Sequence, residues 1–183
     1  MRIISGKWRG RVLSSPPGET TRPTGDRTRE GLFSMLASRL GSFEGLVVAD
    51  IFAGTGAMGL EALSRGAARA IFVDQDKAAI VAIRKNIALV GADAEVIPTA
   101  VASLGPARKP CDLLLFDPPY GSGGGGALLE RLTRLGWATP AAWATIETFH
   151  NEEVSAAGWE IDAERKFGKA KITLLTRVVA TED

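Results

Sequence analysis

Two patterns of hydrophobic residues alternate along most of the chain. Four short, nearly continuous apolar runs are typical of buried strands: 46–54, 69–76, 94–100 and 111–120. Apolar residues at helical spacing fill three segments between and after them: 57–66, 77–91 and 126–137. A fifth strand is expected at 141–148, and 159–179 predicts a terminal antiparallel hairpin that turns at Gly168. This alternation predicts an α/β fold with a parallel sheet covered by helices on both faces.

The first 42 residues follow a different pattern. The stretches "RIIS" and "RVLS" are strand-like and flank a turn, which predicts a short β-hairpin. After a proline-rich loop, four apolar residues keep helical spacing: Leu32, Phe33, Leu36 and Leu40. A helix is therefore expected from residues 24–26 to Gly41. We predict an N-terminal extension at 1–42, made of this hairpin and helix, on a core domain at 43–183.

Length and composition fit one domain of ordinary size. The chain has 183 residues, of which 45% are hydrophobic, so it can bury a sizeable core. None of its apolar stretches approaches the roughly 20 residues that a membrane span requires, and no membrane contact is expected. The N-terminus lacks the apolar core of a signal peptide. A cytoplasmic protein is therefore expected.

Positive charge is concentrated near the N-terminus, although the net charge is only +1. Residues 1–39 contain eight lysines and arginines against three acids, whereas the rest of the chain is mildly acidic. A basic extension on an acidic body indicates a polyanion, such as a nucleic acid, as partner. An ordinary solvated surface would carry the same charges, so composition leaves both interpretations open.

Disulfide and metal chemistry find little support in the sequence. The one cysteine, Cys111, excludes an internal disulfide, and its position at the start of an apolar strand predicts a buried structural thiol. The one histidine, His150, follows a predicted strand and is expected in a surface loop. With a single residue of each kind, no metal site is expected.

The first strand of the predicted sheet leads directly into a glycine-rich turn. Gly54, Gly56 and Gly59 form a G-x-G-x-x-G pattern, and Asp74 ends the next predicted strand twenty residues after Gly54. Glycines allow the backbone to approach a ligand closely, and a carboxylate at that offset can accept hydrogen bonds from ribose hydroxyls. The pattern indicates an adenosine-containing cofactor, although a tight turn with ordinary helix packing would also explain it. Asp76 is either a further ligand or the N-cap of the next helix.

Two adenosine cofactors fit this turn, a dinucleotide such as NAD and S-adenosylmethionine. Pyrophosphate prefers a helix N-terminus without a nearby anion, but Asp50 lies four residues before Gly54. A carboxylate there can instead help to hold the ammonium group of a methionine moiety. Asp50 therefore favours S-adenosylmethionine, while the turn alone leaves NAD open.

The fourth predicted strand ends in Asp117-Pro118-Pro119-Tyr120, which suits methyl transfer to an exocyclic amino group. The lone pair of such a nitrogen is delocalised into the base, so two acceptors on its N–H bonds would orient it and favour the developing positive charge. Asp117 offers a carboxylate, expected to be ionised at an ordinary pKa of about 3.9, and Pro118 offers its carbonyl. Tyr120 offers a ring for stacking, and the glycines at 121–126 offer clearance and mobility. A rigid turn with Tyr120 in the core is the structural alternative.

These motifs, together with the N-terminal stretches, resemble the family of bacterial 16S rRNA guanine-N2 methyltransferases over essentially the whole chain. The shared stretches are "RIISGKWRGRVL", "RPTGDRTREGLFSML", "DIFAGTGAMGLEALSRGA", "DQD" and "DPPY". "DPPY" with the glycine turn is typical of amino-group methyltransferases in general, and the second stretch is more specific to this family. The resemblance implies a Rossmann-like, seven-stranded class I methyltransferase sheet whose last two strands form a hairpin. It also implies methyl transfer from S-adenosylmethionine to the N2 amino group of a guanine in 16S rRNA, on the small ribosomal subunit or its assembly intermediate.

The motifs with their family resemblance predict two groups of site residues, and the charge of the N-terminal extension predicts a third, at the RNA. Those at the target base are Asp117, Pro118, Pro119 and Tyr120. Those at the cofactor are Asp50, Phe52, Gly54, Gly56, Asp74, Gln75, Ala100 and Val101. Those at the RNA are Lys7, Trp8, Arg9, Arg11, Arg22 and Arg27. Near the adenine we expect backbone contacts, and we expect the N-terminal extension to bind RNA and to close over the cofactor site.

Several alternatives stay open. Among methyltransferases these are an adenine-N6 enzyme on RNA or DNA and a protein-glutamine enzyme, although the second would more often have Asn in place of Asp117. Other classes are an NAD-dependent oxidoreductase and a non-catalytic ribosome-assembly factor. Trp8 either stacks on a nucleotide or covers a small apolar cluster. Arg29 either contacts a ligand or lies on the solvated face of its helix.

Overall fold

The computed structural model describes residues 1–18 and 23–180, without the side chains at 23 and 24. Its helices are α1 (Pro23–Leu40), α2 (Ala57–Ser64), α3 (Lys77–Val90) and α4 (Gly125–Arg134). Its strands are β1 (Val47–Ile51), β2 (Arg69–Asp74), β3 (Ala94–Pro98), β4 (Cys111–Phe116), β5 (Ala138–Phe149), β6 (Trp159–Phe167) and β7 (Ala170–Arg177). A short 3-10 helix, Val101–Ser103, follows β3 and is not predicted by the sequence pattern. Apart from this turn, the order of helices and strands after residue 23 is the one predicted.

The seven strands form one sheet in the order β3-β2-β1-β4-β5-β7-β6. Strands β1 to β5 are parallel, β7 runs antiparallel to β5, and β6 pairs antiparallel with β7. The chain crosses from β3 back to β4, so the carboxyl ends of β1 and β4 lie side by side at the switch point where open sheets bind ligands. The class I methyltransferase sheet with its terminal hairpin is confirmed.

Helices cover both faces of the sheet, and β4 shows how the sequence directs this. Leu113 and Leu115 pack with residues of α1, α2 and α3 on one face, whereas Leu114 and Phe116 pack with residues of α4 on the other. A strand buried on both sides needs an apolar residue at nearly every position, so it has no polar alternation. Cys111 begins this strand and is fully buried, and burial raises the pKa of its thiol to about 12. The prediction of a buried structural thiol is confirmed.

Helix α1 shares this core, although it lies in the predicted extension. Leu32, Phe33 and Leu36 are buried, and they pack in one cluster with Leu60 of α2. The apolar stripe read from the sequence is therefore the face by which the helix packs on the rest of the molecule. The proposed boundary at residue 42 stays a prediction.

The first fourteen residues pair over a shorter length than the predicted hairpin. One antiparallel bridge joins Arg2 to Val12, and residues 1–18 contain no strand longer than this bridge. Backbone N–H groups of Ile3, Gly10 and Leu13 donate within this N-terminal segment, whereas others bond to the rest of the protein. The N–H groups of Ile4 and Ser5 donate to the carboxylate of Glu61 on α2, at 2.8 and 3.0 Å. Because the segment bonds to a helix instead of a longer facing strand, the hairpin stays short.

Arg29 is buried beneath the N-terminal segment, so its interpretation as a solvated residue is wrong. Its side chain is 5% exposed, and its guanidinium donates to the carbonyl of Arg2 and to Asp26, the latter at 3.1 Å. It also lies 3.9 Å from Glu61, which is fully buried and pairs with Arg65 at 3.0 Å. Buried charges are tolerated when they are paired and hydrogen-bonded. These hydrogen bonds and ion pairs connect α1, α2 and the N-terminal segment.

Asn86 on α3 fastens the N-terminal segment to the turn after β1. Its side chain is fully buried, accepts from the N–H of Ser14 at 2.7 Å and donates to the Ser14 carbonyl at 2.9 Å. It also donates to the carbonyl of Thr55 at 2.9 Å. The Thr55 hydroxyl lies 3.3 Å from the sulfur of Met1. The first residues of the chain therefore lie directly beside the glycine turn.

Candidate active site

Four acidic side chains lie at or near the carboxyl edge of the parallel strands. Asp50 lies near the end of β1, Asp74 ends β2, Asp117 follows β4, and Glu147 lies near the end of β5. Pairing keeps the ends of β1 and β4 together, and the N–H of Asp117 donates to the carbonyl of Ile51 at 3.3 Å. An edge with these four carboxyl groups offers many acceptor positions to cationic groups and to N–H or O–H donors.

The backbone of the turn after β1 adopts left-handed conformations. The φ angle is 61° at Phe52, 56° at Gly54 and 79° at Gly56. Glycine adopts such angles without strain, whereas a bulky residue such as Phe52 is strained there by about 1–3 kcal/mol. A Cβ added at Gly54 would meet no atom within 4 Å. The backbone at Gly54 therefore faces open space, as a ligand-binding turn requires.

The other two glycines of the pattern are packed against the sheet. A Cβ at Gly56 would lie 3.3 Å from Cε1 of Phe72, and one at Gly59 would lie only 2.5 Å from the same atom. Helix α2 thus approaches β2 more closely than a side chain at Gly59 would allow. Close packing of α2 on β2 explains why residue 59 is a glycine, and it is one reason for the glycine at 56. The cofactor contact of Gly56 stays a prediction.

Both carboxylate oxygens of Asp74 accept a backbone hydrogen bond. Oδ2 accepts from the N–H of Gly54 and Oδ1 from the N–H of Asp76, each at 2.9 Å. A carboxylate has about four acceptor positions, so each oxygen can still accept one bond from a ribose hydroxyl. The Asp76 side chain itself accepts from the N–H of Ala79 at 3.0 Å. Its interpretation as the N-cap of α3 is confirmed.

Asp50 is buried beside this turn. Its side chain is 1% exposed, and Oδ2 accepts from the N–H of Gly59 at 2.8 Å. Burial raises the pKa of Asp50 to about 8; the Gly59 bond opposes the rise, and the charge of Asp74 adds to it. A cation close to this carboxyl would favour its ionised form. The site thus suits the ammonium group predicted to lie there.

The remaining predicted cofactor residues follow β2 and β3. Gln75 is exposed directly after β2. Ala100 is half-buried at the start of the 3-10 helix, and the side chain of Val101 is buried in the core. Because the Val101 side chain is used in packing, a ligand could meet it mainly through its backbone. These contacts stay predictions.

Asp117 lies in a cleft, where water reaches it although protein surrounds it on most sides. Burial raises the pKa of its carboxyl well above the usual range, and so do the charge and hydrogen bond of Glu147 and the charge of Asp50. Because water still reaches Asp117, its acidic neighbours contribute to this rise as well as burial. The expectation of an ordinary pKa is wrong, because spacing along the sequence does not show which acids will meet.

Tyr120 lies on the surface of this cleft and not in the core. Its side chain is 46% exposed, and its hydroxyl donates to Oε1 of Glu147 at 2.7 Å. Its ring centre lies 4.5 Å from that of Phe149 on β5. Burial of part of the ring and the bond to Glu147 raise the pKa of the phenol, which therefore stays protonated. An exposed, oriented ring is what stacking on a base requires.

Sequence reasoning misses two side chains of this cleft, Glu147 and Phe149. The signal that could have identified Glu147 is its position near the carboxyl end of a parallel strand. Carboxyl ends of neighbouring parallel strands lie at one edge, so an acid near the end of β5 is expected to approach one that follows β4. Phe149 carries no such signal, because a single aromatic residue at a strand end is common.

A cavity of about 270 Å³ opens beside the Asp-Pro-Pro-Tyr motif. Its walls come from Pro118 to Tyr120, from the glycine loop, from Glu147 and from residues 152–155. Ligand sites commonly measure about 300–1,000 Å³, so this cavity lies just below that range. It suits one flat ring better than a whole nucleotide.

The glycines after Tyr120 have two different surroundings. A Cβ at Gly125 would lie 2.8 Å from Ile146, and one at Gly126 would lie 2.0 Å from the carbonyl oxygen of Ser155. These two glycines belong to α4 and permit its close packing. Gly125 and Gly126 are therefore not expected to be mobile. Mobility stays a prediction for residues 121–124.

The predicted RNA-contacting residues divide into exposed cations and one half-buried ring. Trp8 packs against the apolar cluster of α1, α2 and α3, so the interpretation that Trp8 covers an apolar cluster is confirmed. The ammonium of Lys7 lies 4.5 Å from its ring centre. Arg22 lies outside the described residues. The exposed cations are Lys7, Arg9, Arg11 and Arg27.

Residues 1–18 and 23–180 contain no cluster of three or more potential metal ligands. Nor is any helix in these ranges long and apolar enough to cross a membrane. His150 lies exposed in the turn after β5, as predicted, and its N–H donates to the carbonyl of Lys169 at 2.8 Å.

Comparison with known proteins gives similarity along nearly the whole chain. Residues 1–176 match the family model described as conserved hypothetical protein 95. The Escherichia coli (strain K12) protein named ribosomal RNA small subunit methyltransferase D is 36% identical over 185 residues, which cover 97% of this chain and 90% of that protein. A protein of the same name from Haemophilus influenzae is 33% identical over 175 residues, covering 92% and 89%. The solved structure named "Putative methyltransferase yhhF" from Escherichia coli has a TM-score of 0.83 and 36% identity, and the match covers 98% of this chain and 99% of that one.

Proposed function

The chain belongs to the conserved hypothetical protein 95 family, and we propose that it methylates the exocyclic N2 atom of a guanine in 16S rRNA. In coarser terms it is an rRNA methyltransferase, as its relatives named ribosomal RNA small subunit methyltransferase D indicate. Membership of this family leaves no support for the oxidoreductase alternative. The donor S-adenosylmethionine, the acceptor atom and the residue roles below are parts of the proposal.

The observation that carries the proposal is that Asp117 lies beside the open glycine turn and, through the same motif, leads to Tyr120 at the cavity. Asp117 is hydrogen-bonded through its N–H to the last residue of β1, and the turn begins directly after that residue. Tyr120 faces the cavity that opens next to it. A cofactor on the turn and a base in the cavity would therefore meet at Asp117.

The residues around the turn fit S-adenosylmethionine. Gly54 faces open space, so an adenosine-containing group can approach its backbone. Asp74 keeps acceptor positions for ribose hydroxyls, and Asp50 offers a buried carboxyl for an ammonium group. When bound, S-adenosylmethionine supplies a methyl group attached to a positively charged sulfur.

The residues of the motif hold the amino group and take its proton. Asp117 and the Pro118 carbonyl accept the two N–H bonds of N2, which aims the nitrogen lone pair at the methyl carbon. The N–C bond forms as the C–S bond breaks, and the proton then leaves N2 for Asp117. A raised pKa suits Asp117 to accept that proton. Tyr120 stacks on the base, which must leave its own stack to enter the cavity.

The direct test incubates the protein with radiolabelled S-adenosylmethionine and small ribosomal subunits that lack the modification. Digestion to nucleosides should place the label in N2-methylguanosine, and Asp117→Asn should reduce it by about 100-fold or more. Binding of S-adenosylhomocysteine should persist in the variant, which separates lost chemistry from lost folding. Label in N6-methyladenosine would overturn the assignment to guanine, and unchanged activity of the variant would overturn the role of Asp117.

The exposed cations of the N-terminal segment are proposed to hold RNA phosphates. Arg9 and Arg11 are exposed, and the described residues provide no ion pair for either. The double variant Arg9→Ala, Arg11→Ala should weaken RNA binding and lower the slope of log K against log salt by about 1–2. Lys109→Ala, an exposed cation outside this segment, is the matched control. An unchanged slope in the double variant would contradict the assignment.

A further inference from the structure

Glu147 occupies a central position in the cleft, although the reaction as proposed gives it no part. It lies within hydrogen-bonding reach of Asp117, and its Oε1 accepts from the hydroxyl of Tyr120 at 2.7 Å. It also lines the cavity beside the motif. Glu147 therefore contacts both side chains that are proposed to hold the base.

The carboxylate of Glu147 keeps acceptor capacity that the protein does not use up. The hydrogen bonds with Tyr120 and Asp117 occupy two of about four acceptor positions, so about two remain. Within the described part of the chain, no lysine or arginine forms an ion pair with it. A half-buried carboxylate of this kind is best satisfied by hydrogen-bond donors from a ligand.

The two purines differ at the ring nitrogen beside the amino group. Guanine carries N1–H next to its N2 amino group, so three N–H donors lie along one edge. Adenine presents an unprotonated N1 next to its N6 amino group, so an acceptor lies where guanine has a donor. Single bases that are turned out of the stack are read along this edge.

We propose that Glu147 selects guanine by accepting its N1–H while Asp117 holds the adjacent N2 amino group. This inference rests on the proposed function. Two neighbouring carboxyl groups match the row of donors on guanine, and the ring of Tyr120 fixes the plane of the base between them. With adenine, the N1 lone pair would face the carboxylate oxygens of Glu147, and the base would be rejected by repulsion and by an unsatisfied acceptor.

Small subunits reconstituted with a single altered base can test this role. The nucleotide methylated by the wild-type protein is first located, and 2-aminopurine is then placed at that position. 2-Aminopurine keeps the reacting 2-amino group but has no N1–H. The wild-type protein should prefer guanine in kcat/KM by on the order of 10- to 100-fold, which is the effect of one charge-assisted hydrogen bond.

The variant Glu147→Gln should reduce this preference to within about 3-fold, because its amide can turn an N–H toward the unprotonated N1. A purely structural role, such as holding Tyr120, would lower kcat/KM for both bases alike and leave their ratio unchanged. Glu160→Gln, the same change on an exposed residue of β6, serves as the control and should behave like the wild-type protein.

The outcomes separate this inference from the function on which it rests. A guanine preference that collapses in Glu147→Gln supports the inference. Methylation of guanine without a preference over 2-aminopurine, or with a ratio that Glu147→Gln leaves unchanged, overturns the inference and leaves the proposed function intact. No N2-methylguanosine on unmodified subunits overturns the proposed function, and the inference with it.

Discussion

The buried carboxyl of Asp50 should make the free protein less stable as the pH rises. It is 1% exposed and accepts a hydrogen bond from the N–H of Gly59 at 2.8 Å. Burial is the main reason that its pKa rises from 3.8 to about 8, with a smaller contribution from the charge of Asp74. The carboxyl is thus neutral in the folded protein at pH values where an unfolded chain would ionise it.

The size of the effect follows from proton binding. Between pH 3.8 and about 8 the folded protein binds more protons at Asp50 than the unfolded chain does. The free energy of unfolding therefore falls with rising pH, by about 1.4 kcal/mol for each pH unit. Across the whole window the loss is on the order of 5 kcal/mol, and it ends above pH 8, where the folded carboxyl ionises as well.

Asp50→Asn isolates this contribution. Asparagine has nearly the same shape and can still accept from Gly59, but it does not titrate. Urea unfolding of the wild-type protein and the variant at pH 5, 6.5 and 8.5 gives their difference in unfolding free energy at each pH. The contributions of titrating groups that both proteins share cancel in this difference. The variant should therefore gain stability relative to the wild type as the pH rises.

A stability difference that stays constant from pH 5 to pH 8.5 would refute this reasoning. Asp93→Asn, at an exposed position in the turn after α3, is the matched control and should show no such trend. S-adenosylhomocysteine provides a second readout, because its ammonium group is proposed to lie at Asp50. Saturating ligand should stabilise the wild-type protein more than Asp50→Asn at pH 8.5.

Three further substitutions test packing, the buried charges and the cleft. Gly59→Ala should destabilise the protein by about 1–3 kcal/mol in urea unfolding, because the new Cβ would lie 2.5 Å from Phe72; unchanged stability would mean that the Phe72 ring can move aside without cost. Glu61→Gln should cost about 3 kcal/mol and expose the N-terminal segment to trypsin, because buried Arg29 and half-buried Arg65 both lose the charge of Glu61; retained protection would contradict this. Tyr120→Phe loses the 2.7 Å bond to Glu147 and should lower kcat about 3- to 10-fold, with less than about 1 kcal/mol change in stability; unchanged kcat would refute a role for that bond.

The strands and helices of the core domain could be predicted because local sequence determines them. The continuous apolar run in β4 required a strand buried on both faces, and the αL glycine Gly91 and the N-cap Asp76 mark the ends of α3. Glycines and the acid that ends β2 also indicated the turn at Gly54. In these places one short stretch of sequence carries the whole physical reason for the structure.

The remaining features depend on partners that are distant in sequence. Arg29 has the sequence surroundings of an exposed helical residue, and its burial depends on Glu61, 32 positions later. The raised pKa of Asp117 likewise depends on Glu147, which only the pairing of β4 with β5 brings close. Such contacts follow from the strand order, and helical or strand periodicity does not contain them.

The separation of charge along the chain follows from the reaction proposed. In the proposed reaction, the carboxyl groups of Asp50, Asp74, Asp117 and Glu147 offer acceptors to the ammonium and hydroxyl groups of the donor and to the N–H groups of a base. These carboxyl groups offer no positive charge to RNA phosphates, so this edge would not bind the backbone of a duplex. Affinity for the backbone must then come from elsewhere, and the N-terminal segment supplies exposed cations at a place fixed by Glu61 and Asn86. Under the proposed function, the basic segment beside this cleft would bind the charged backbone outside it, while one base that has left its stack would enter.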